Sequence, residues 1–320
     1  MPRRGPGAVE IIGLFVSDIH LSETAPVSRA EKKTWMSTDG PQVKALKQLK
    51  VLQEEHQCPV FIAGDLFDRW NASAWVINLA LVHLPDRCYA IPGNHDLMFG
   101  SYRDIERTAY WTLVEAGKVT NLTPGPGDMQ HSIDHLLVSP FPHTFPVQAP
   151  KDKHGLALNV ALVHDLIWTE KTGYEGASAD KRLGKWLPKL SKYDAAFWGD
   201  NHRGFIALHK EGQCRVMNCG AFIRRKSNEM VLTPSVGMLH SNGTITRHFL
   251  DVSEDQWSDV GQEIADIESS LQMDLSGFIE ELVKARDTGW NWEITVDSWI
   301  SGNNIDKDVA AIMKKAVKEV

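Results

Sequence analysis

Five short apolar runs in this chain end in the same way. Ile11–Val16 is followed by Asp18 and His20, Val60–Ala63 by Asp65 and Asp68, and Cys88–Ile91 by Asn94, His95 and Asp96. Leu156–Val163 ends on His164, and Ala195–Trp198 gives way to Asp200 and His202. Runs this short, mostly bounded by polar or turn-forming residues, read as buried strands. Amphipathic patterns lie between several of them. Val43, Leu46, Leu49 and Leu52 form one stripe. Trp75, Val76, Leu79 and Val82 form a second with Ser73 as its N-cap, and Ile105, Ala109, Leu113 and Val114 a third ending near Gly117. Strands alternating with helices predict an α/β fold with much parallel pairing. In such sheets ligands bind at the carboxyl ends of the strands. Five strands here would deliver Asp, His or Asn to that one edge.

Each piece alone has an ordinary reading. Asp18 or His20 could cap a helix, Gly64-Asp65 could be a turn, and a lone His164 is more often a satisfied core histidine. Gly93-Asn94-His95-Asp96 is more telling, because it ends an apolar run abruptly. Together, in one order along the chain, they predict a metal centre. Two divalent ions about 3.5–4 Å apart need an anionic bridge and several N or O ligands. A carboxylate can bridge and an imidazole cannot. Oxygen and imidazole donors suit Mn, Fe or Zn, and no cysteine is among the polar residues that end these runs.

The second half changes texture. Cys214–Asn218, Ala221–Arg224, Ser235–Leu239 and Thr244–Leu250 read as antiparallel strands, with Ser241-Asn242-Gly243 as a hairpin turn. Beyond about 253, Trp257, Val260, Ile264, Ile267 and Leu271 recur at helical spacing, continued by Phe278, Ile279, Leu282 and Val283. The expected division is a catalytic domain over 1–250 and an acidic helical appendage over 251–320. Cys58, Cys88, Cys214 and Cys219 lack C-x-x-C spacing, and no apolar run approaches membrane length, so a reduced, cytoplasmic setting is expected.

Charge argues at first against a nucleic-acid substrate: 34 Lys plus Arg against 41 Asp plus Glu give a net −7 over 320 residues. The charge is not evenly spread. Residues 251–320 hold 16 acidic and 6 basic residues, whereas 1–250 hold 25 and 28. The expected catalytic part is mildly basic, and the objection applies to the tail alone. The tail is expected to pair with the Arg224-Arg225-Lys226 cluster or to mimic nucleic acid at the cleft.

The set Asp18-x-His20, Gly64-Asp65-x-x-Asp68-Arg69, Gly93-Asn94-His95-Asp96, His164 and Gly199-x-x-His202 resembles the calcineurin-like metallophosphoesterases over about residues 9–250. The resemblance implies an α/β fold in which a two-sheet β-sandwich is flanked by helices, with a two-metal site at the strand ends. It implies Asp65 as the bridge, Asp18, His20 and His202 on one ion, and Asn94 and His164 on the other. The remaining ligand position falls on Asp200, where the family has His in Gly-His-x-His. An added carboxylate favours Mn²⁺ or Mg²⁺ over Zn²⁺, with Fe²⁺ also compatible; the alternative is that Asp200 is only a turn residue. The implied reaction is in-line attack of a metal-bound hydroxide on phosphorus. His95 would protonate the leaving oxygen, Asp68 would orient His95 and keep it protonated, and Arg69 would either contact phosphate or make a surface ion pair.

Within the family, Ala63–Asp68, Asn71–Trp75 and Ile91–Asp96 look most like SbcD-type DNA exonucleases, including compact forms found in bacteriophage genomes. That likeness implies DNA as substrate and a coiled-coil ATPase as a candidate partner. Arg203, Arg224 and Arg225, with Lys181-Arg182, are the candidate phosphate-facing cations; a solvated basic face is the plainer reading. Trp70, Trp75, Trp168 and Trp198 are either core or base-stacking residues. The alternatives to a nuclease are a phosphomonoesterase or small-nucleotide phosphodiesterase, and a scaffold without catalysis.

Overall fold

The computed structural model describes residues 9–122, 130–150, 157–174, 177–208 and 214–271, with 300, 307, 310, 311 and 314. The chain divides into two compact units. One comprises Met1–Glu23, Met36–Ile223 and Thr233–Val252, and the other Thr24–Trp35, Arg224–Leu232 and Ser253–Val320.

The larger unit is built on two six-stranded sheets. In chain order the strands are β1 (Ile11–Val16), β2 (Val60–Ala63), β3 (Cys88–Ile91), β4 (Val119–Asn121), β5 (His131–Ile133), β6 (Leu136–Phe141), β7 (Leu158–His164), β8 (Ala195–Gly199), β9 (Phe205–Leu208), β10 (Arg215–Asn218), β11 (Ser235–His240) and β12 (Ile245–Phe249). One sheet runs β12-β11-β1-β2-β3-β4 and the other β5-β6-β7-β8-β10-β9. β1 through β4 are mutually parallel, as are β6, β7, β8 and β10, while β5, β9, β11 and β12 pair antiparallel. This is the expected two-sheet α/β architecture.

Side-chain alternation along each strand explains the layering. Phe15, Phe61, Ile91, Leu136, Val160, Leu162, Phe197 and Met217 share one core from both sheets, and the Phe15 ring stacks on those of Phe61 and Phe197. The other face of β7 and β8 carries Ala161, Val163, Ala196 and Trp198, packed with Trp186 and Leu190. Three helices, α1 (Pro41–His56), α2 (Ala74–His83) and α3 (Ala109–Glu115), fill the connections of the first sheet, and α4 (Leu183–Leu190) precedes β8. Ser73 caps α2 by accepting the Val76 N–H, and Gly117 ends the α3 region at φ +68°.

Four expectations change. α2 buries Val76, Leu79 and Ala80, whereas Trp75 and Val82 of the expected stripe are exposed. The third helical stripe divides into a 3-10 turn over Tyr102–Arg107 and α3. Ala221–Arg224 forms no strand and leaves a single bridge between Ser17 and Ala221. β10 pairs parallel with β8 and antiparallel only with β9.

The smaller unit contains α5 (Asp259–Leu271), which buries Val260 and Ile264. Gly261 leaves no room for a Cβ against the Ser28 backbone. The segments 24–35 and 224–232 thus belong with the tail, a grouping that a single boundary near 251 does not contain. The stripe from Phe278 to Val283 lies outside the described residues. No helix among the described residues is long and apolar enough to cross a membrane.

Candidate metal centre

The loops after β1 and β2 are zipped together by their backbones. Asp18 N–H donates to Gly64 O (3.1 Å), His20 N–H to Asp65 O (3.0 Å), Leu21 N–H to Leu66 O (3.0 Å) and Asp68 N–H to Leu21 O (3.0 Å). Parallel strands that stop together therefore put their first polar residues side by side. Asp18, His20 and Asp65 hold left-handed backbone, with φ of 51°, 49° and 53°, and Asp200 holds φ 86°. Such conformations cost non-glycine residues about 1–3 kcal/mol and gather where a site demands them. Gly64, at φ +88°, is glycine for a second reason: a Cβ there would collide with His164 Nδ1.

Among the described residues, three sets bring ligand atoms within 4.8 Å of one another: Asp18, His20 and His202; His20, Asp65 and His95; and Asp18, Asp65 and His164. Asp18, His20, Asp65 and His164 are buried. His20 Nε2 faces His202 Nε2 at 3.2 Å, and His164 Nε2 lies 2.9 Å from Asn94 Oδ1 and 3.5 Å from Asp65 Oδ1. His164 donates its Nδ1–H to Ala63 O (2.7 Å), which fixes the tautomer and aims Nε2 inward. This oxygen and imidazole donor set fits two divalent cations. Asp18, His20 and His202 would hold one, Asn94 and His164 the other, with Asp65 reaching both.

The electrostatics carry the same signature. Burial, with Asp65 beside it, pushes Asp18 up to about 6 against the pull of His202 and His164. Burial opposes ionisation of Asp65 too, yet His164 and His95 bring it down to about 2. Burial disfavours the His164 imidazolium, but Asp65, Asp18 and Asp200 raise it well above the ordinary histidine value. Without cations, a proton on His164 balances Asp65.

Asp96 sits beneath the cluster. Its carboxylate accepts the N–H groups of Leu66 (3.2 Å), Phe67 (3.0 Å) and Gly93 (3.0 Å), and so locks the β2 loop to the β3 loop. Burial and Asp65 nonetheless push it up to about 7, and those three N–H groups pull the other way. His95 donates its own N–H to Asp65 Oδ1 (2.9 Å).

His95 Nδ1 meets the main-chain oxygen of Asp68 at 2.8 Å, whereas the Asp68 carboxylate stands 3.9 Å from His20 Nδ1. The Asp68 N–H is pinned to Leu21 O, and the peptide rather than the side chain faces the ring. Asp200 acts through its main chain, its N–H donating to both oxygens of Asp18 (3.0 and 3.2 Å). Its carboxylate joins none of the three ligand sets, although it bears electrostatically on His164 and His143. Arg69 is exposed. Arg203 donates to Gly173 O (3.0 Å), Lys181 pairs with Asp165 and Arg182 with Glu170.

Within the smaller unit, Arg224 pairs with Asp255 (2.8 Å) and donates to Met230 O, and Arg225 is buried. Of the two readings of this cluster, phosphate contact and pairing with acids of the tail, the Arg224–Asp255 pair follows the second. Trp198 is core, whereas Trp75 is exposed. His143, two residues beyond β6, escaped the sequence reading. Its ring centroid lies 6.4 Å from that of His164.

The calcineurin-like phosphoesterase family model matches residues 14–204. No curated protein matches the chain significantly. Solved structures similar to it include an archaeal phosphodiesterase (13% identity, 74% of this chain and 99% of that chain, TM-score 0.39). A metallophosphoesterase from Sphaerobacter thermophilus gives 12% identity over 82% of this chain and 94% of that one, with a TM-score of 0.36. A dimetal phosphatase from Danio rerio gives 8% identity over 78% and 100%, with a TM-score of 0.46. These likenesses are too distant to bear on substrate. The family match covers β2 to β8 and every expected ligand, and the chain belongs to the calcineurin-like phosphoesterase family.

Proposed function

We propose that the chain is a metal-dependent phosphodiesterase acting on nucleic acid. Two divalent cations, when bound, supply Lewis acidity and an activated water for in-line displacement at phosphorus. Mn²⁺ is among the ions suited to a set that mixes the oxygens of Asp18, Asp65 and Asn94 with the imidazoles of His20, His164 and His202. The chain's own contribution is positional. Asp200 and Ser17 orient Asp18, Asp96 braces the two central loops, and the Asp68 carbonyl aims His95. His95 Nε2 then carries the proton to the leaving oxygen.

The observation that supports a nucleic-acid substrate is an aromatic pair on the loops that carry Asp68 and His95. Trp70 and Phe99 have ring centroids 6.4 Å apart, tilted by 49°. Phe99 is 88% exposed and holds left-handed backbone at φ 55°, ψ 30°. A strained, solvent-facing phenylalanine does nothing for the core, whereas an aromatic face stacks a base for about 1–3 kcal/mol.

A shorter substrate is favoured by a different observation. Arg182, Lys181 and Arg224, expected to follow a phosphate backbone, are each paired with an acid. A small-nucleotide phosphodiesterase is therefore the second reading.

A Mn²⁺-supplemented panel of single-stranded and duplex DNA, RNA, cyclic dinucleotides, dinucleoside polyphosphates and p-nitrophenyl phosphate separates these. Cleavage of oligonucleotides, weakened by Phe99→Ala, is expected. Hydrolysis of dinucleotides alone selects the second reading, and hydrolysis of the monoester alone refutes both.

A further inference from the structure

β6 lies parallel to β7, with Phe141 level with Val163, so the residues just beyond β6 arrive beside His164. The first titratable one is His143. Its N–H donates to Pro92 O (3.4 Å), which ties it to the loop carrying Asn94 and His95. Its ring stands at 70° to that of His164 and is half-buried. A Cβ on Gly100 would lie 3.8 Å from His143 Nε2, so the turn after the Asn94-His95 segment passes directly against the imidazole. Thr144, the next residue, holds φ 74°, the left-handed backbone also seen at Asp18, His20, Asp65 and Asp200.

The ring belongs to the metal centre without closing a ligand set. It is absent from the three groups whose donor atoms converge within 4.8 Å. Its electrostatic neighbours are nevertheless those of the centre: burial and His164 lower its pKa, while Asp200, Asp65 and Asp165 raise it. With 6.4 Å between the ring centroids, a hydrogen bond of about 2.8–3.0 Å from the His143 imidazole reaches an oxygen held at the His164 side of the centre.

We propose that His143 is a substrate-contacting residue whose imidazole hydrogen-bonds a non-bridging phosphoryl oxygen held at the Asp65, Asn94 and His164 side of the centre. The inference rests on phosphoester hydrolysis at this centre and holds whether or not the substrate is nucleic acid. It commits His143 to the phosphoryl group that every candidate ester shares.

The test compares the parent protein with His143→Ala and His143→Gln, all loaded with Mn²⁺. KM for bis-p-nitrophenyl phosphate, inhibition by orthophosphate and bound manganese are measured. His143→Ala is expected to raise both KM and the orthophosphate inhibition constant about tenfold, with manganese content equal to the parent, and the glutamine variant to recover part of the loss. Unchanged constants overturn the proposal. Loss of manganese overturns it as well, because His143 is then a ligand. If the parent hydrolyses no ester, the activity reading fails separately. Calorimetric binding of orthophosphate to the Mn²⁺-loaded proteins then decides for His143, with equal affinities counting against it.

Discussion

His95 presents Nδ1 to the main-chain oxygen of Asp68 at 2.8 Å, so a peptide carbonyl aims the ring of the candidate acid. The Asp68 carboxylate lies toward His20 instead, 3.9 Å from its Nδ1. A carbonyl cannot be removed by changing the side chain. Asp68→Asn is therefore expected to reduce kcat by less than about tenfold, whereas His95→Ala reduces it by about 10²–10⁴-fold. Steady-state rates on bis-p-nitrophenyl phosphate check this. Equal losses in the two variants would return the carboxylate to the role of orienting His95.

Cation binding has to displace a proton. Burial disfavours charge on His164, but Asp65 and its other acidic neighbours hold its pKa well above 6.5 in the cation-free protein. A raised folded-state pKa stabilises the fold fully below the unfolded value and loses that contribution as pH climbs through the folded one. Asp65, at about 2 in place of 3.8, contributes above pH 3.8 and loses it as pH falls through 2. The pair thus supports the EDTA-treated protein from weakly acidic to neutral pH and weakens in alkali. Mn²⁺ is expected to raise Tm more at pH 8 than at pH 6, and to release a proton on binding at pH 7. Titration calorimetry in buffers of different ionisation enthalpy reads the proton directly, and identical heats in all of them would refute the linkage.

Gly64 offers a backbone test of the same centre. It holds φ +88°, accepts the Asp18 N–H and has His164 Nδ1 where a Cβ would stand. Gly64→Ala is expected to cost about 2–4 kcal/mol and to lower manganese occupancy. Gly117 is the control, because it has φ +68° but nothing within 4 Å of a Cβ. Gly117→Ala carries only the backbone strain, about 1 kcal/mol. Thermal melts and metal analysis of the two variants, side by side, separate strain from loss of the site. Similar behaviour would mean that the contact with His164 is unimportant.

The sequence exposed this centre because β1, β2, β3, β7 and β8 are predominantly apolar runs, β7 broken only by Asn159, that give way to Asp, His or Asn. The rule failed where a run was interrupted. Ser139 and Pro140, two in succession, break the apolar pattern that starts at Leu136, although β6 continues to Phe141. Carried through those two residues, the same reasoning would have reached His143. β4 and β5 are three residues each and offer no periodicity to detect. Side-chain direction was equally hidden: nothing in the string Asp68-Arg69 says that a carbonyl rather than a carboxylate meets His95. Arg29 was invisible for another reason, because its partners are distant in sequence.

Arg29 is the buried charge on which the smaller unit turns. Its side chain is 0% exposed, pairs with Glu31 (2.5 Å) and Asp255 (2.8 Å), and donates to Arg224 O (3.0 Å). Its guanidinium also lies over the rings of Trp35 and Trp257, at 5.6 and 4.8 Å. Asp255 accepts from Arg224 as well, so one carboxylate serves two guanidinium groups. Removing one partner of a buried, hydrogen-bonded ion pair leaves the other charge uncompensated and costs about 3–5 kcal/mol. Asp255→Ala is expected to fall at the lower end of that range, since it takes the acid from Arg224 and leaves Arg29 with Glu31. Arg29→Met keeps much of the volume between the tryptophans and leaves Asp255 with Arg224, while Glu31, 8% exposed, loses its guanidinium and can recover some hydration. It should therefore be the milder change. Hydrogen exchange on the full chain reads the two units separately. Both variants should speed exchange in 24–35, 224–232 and 253–271 while leaving β1–β3 and β7–β8 protected. Loss of protection in those strands would mean that the two units unfold as one.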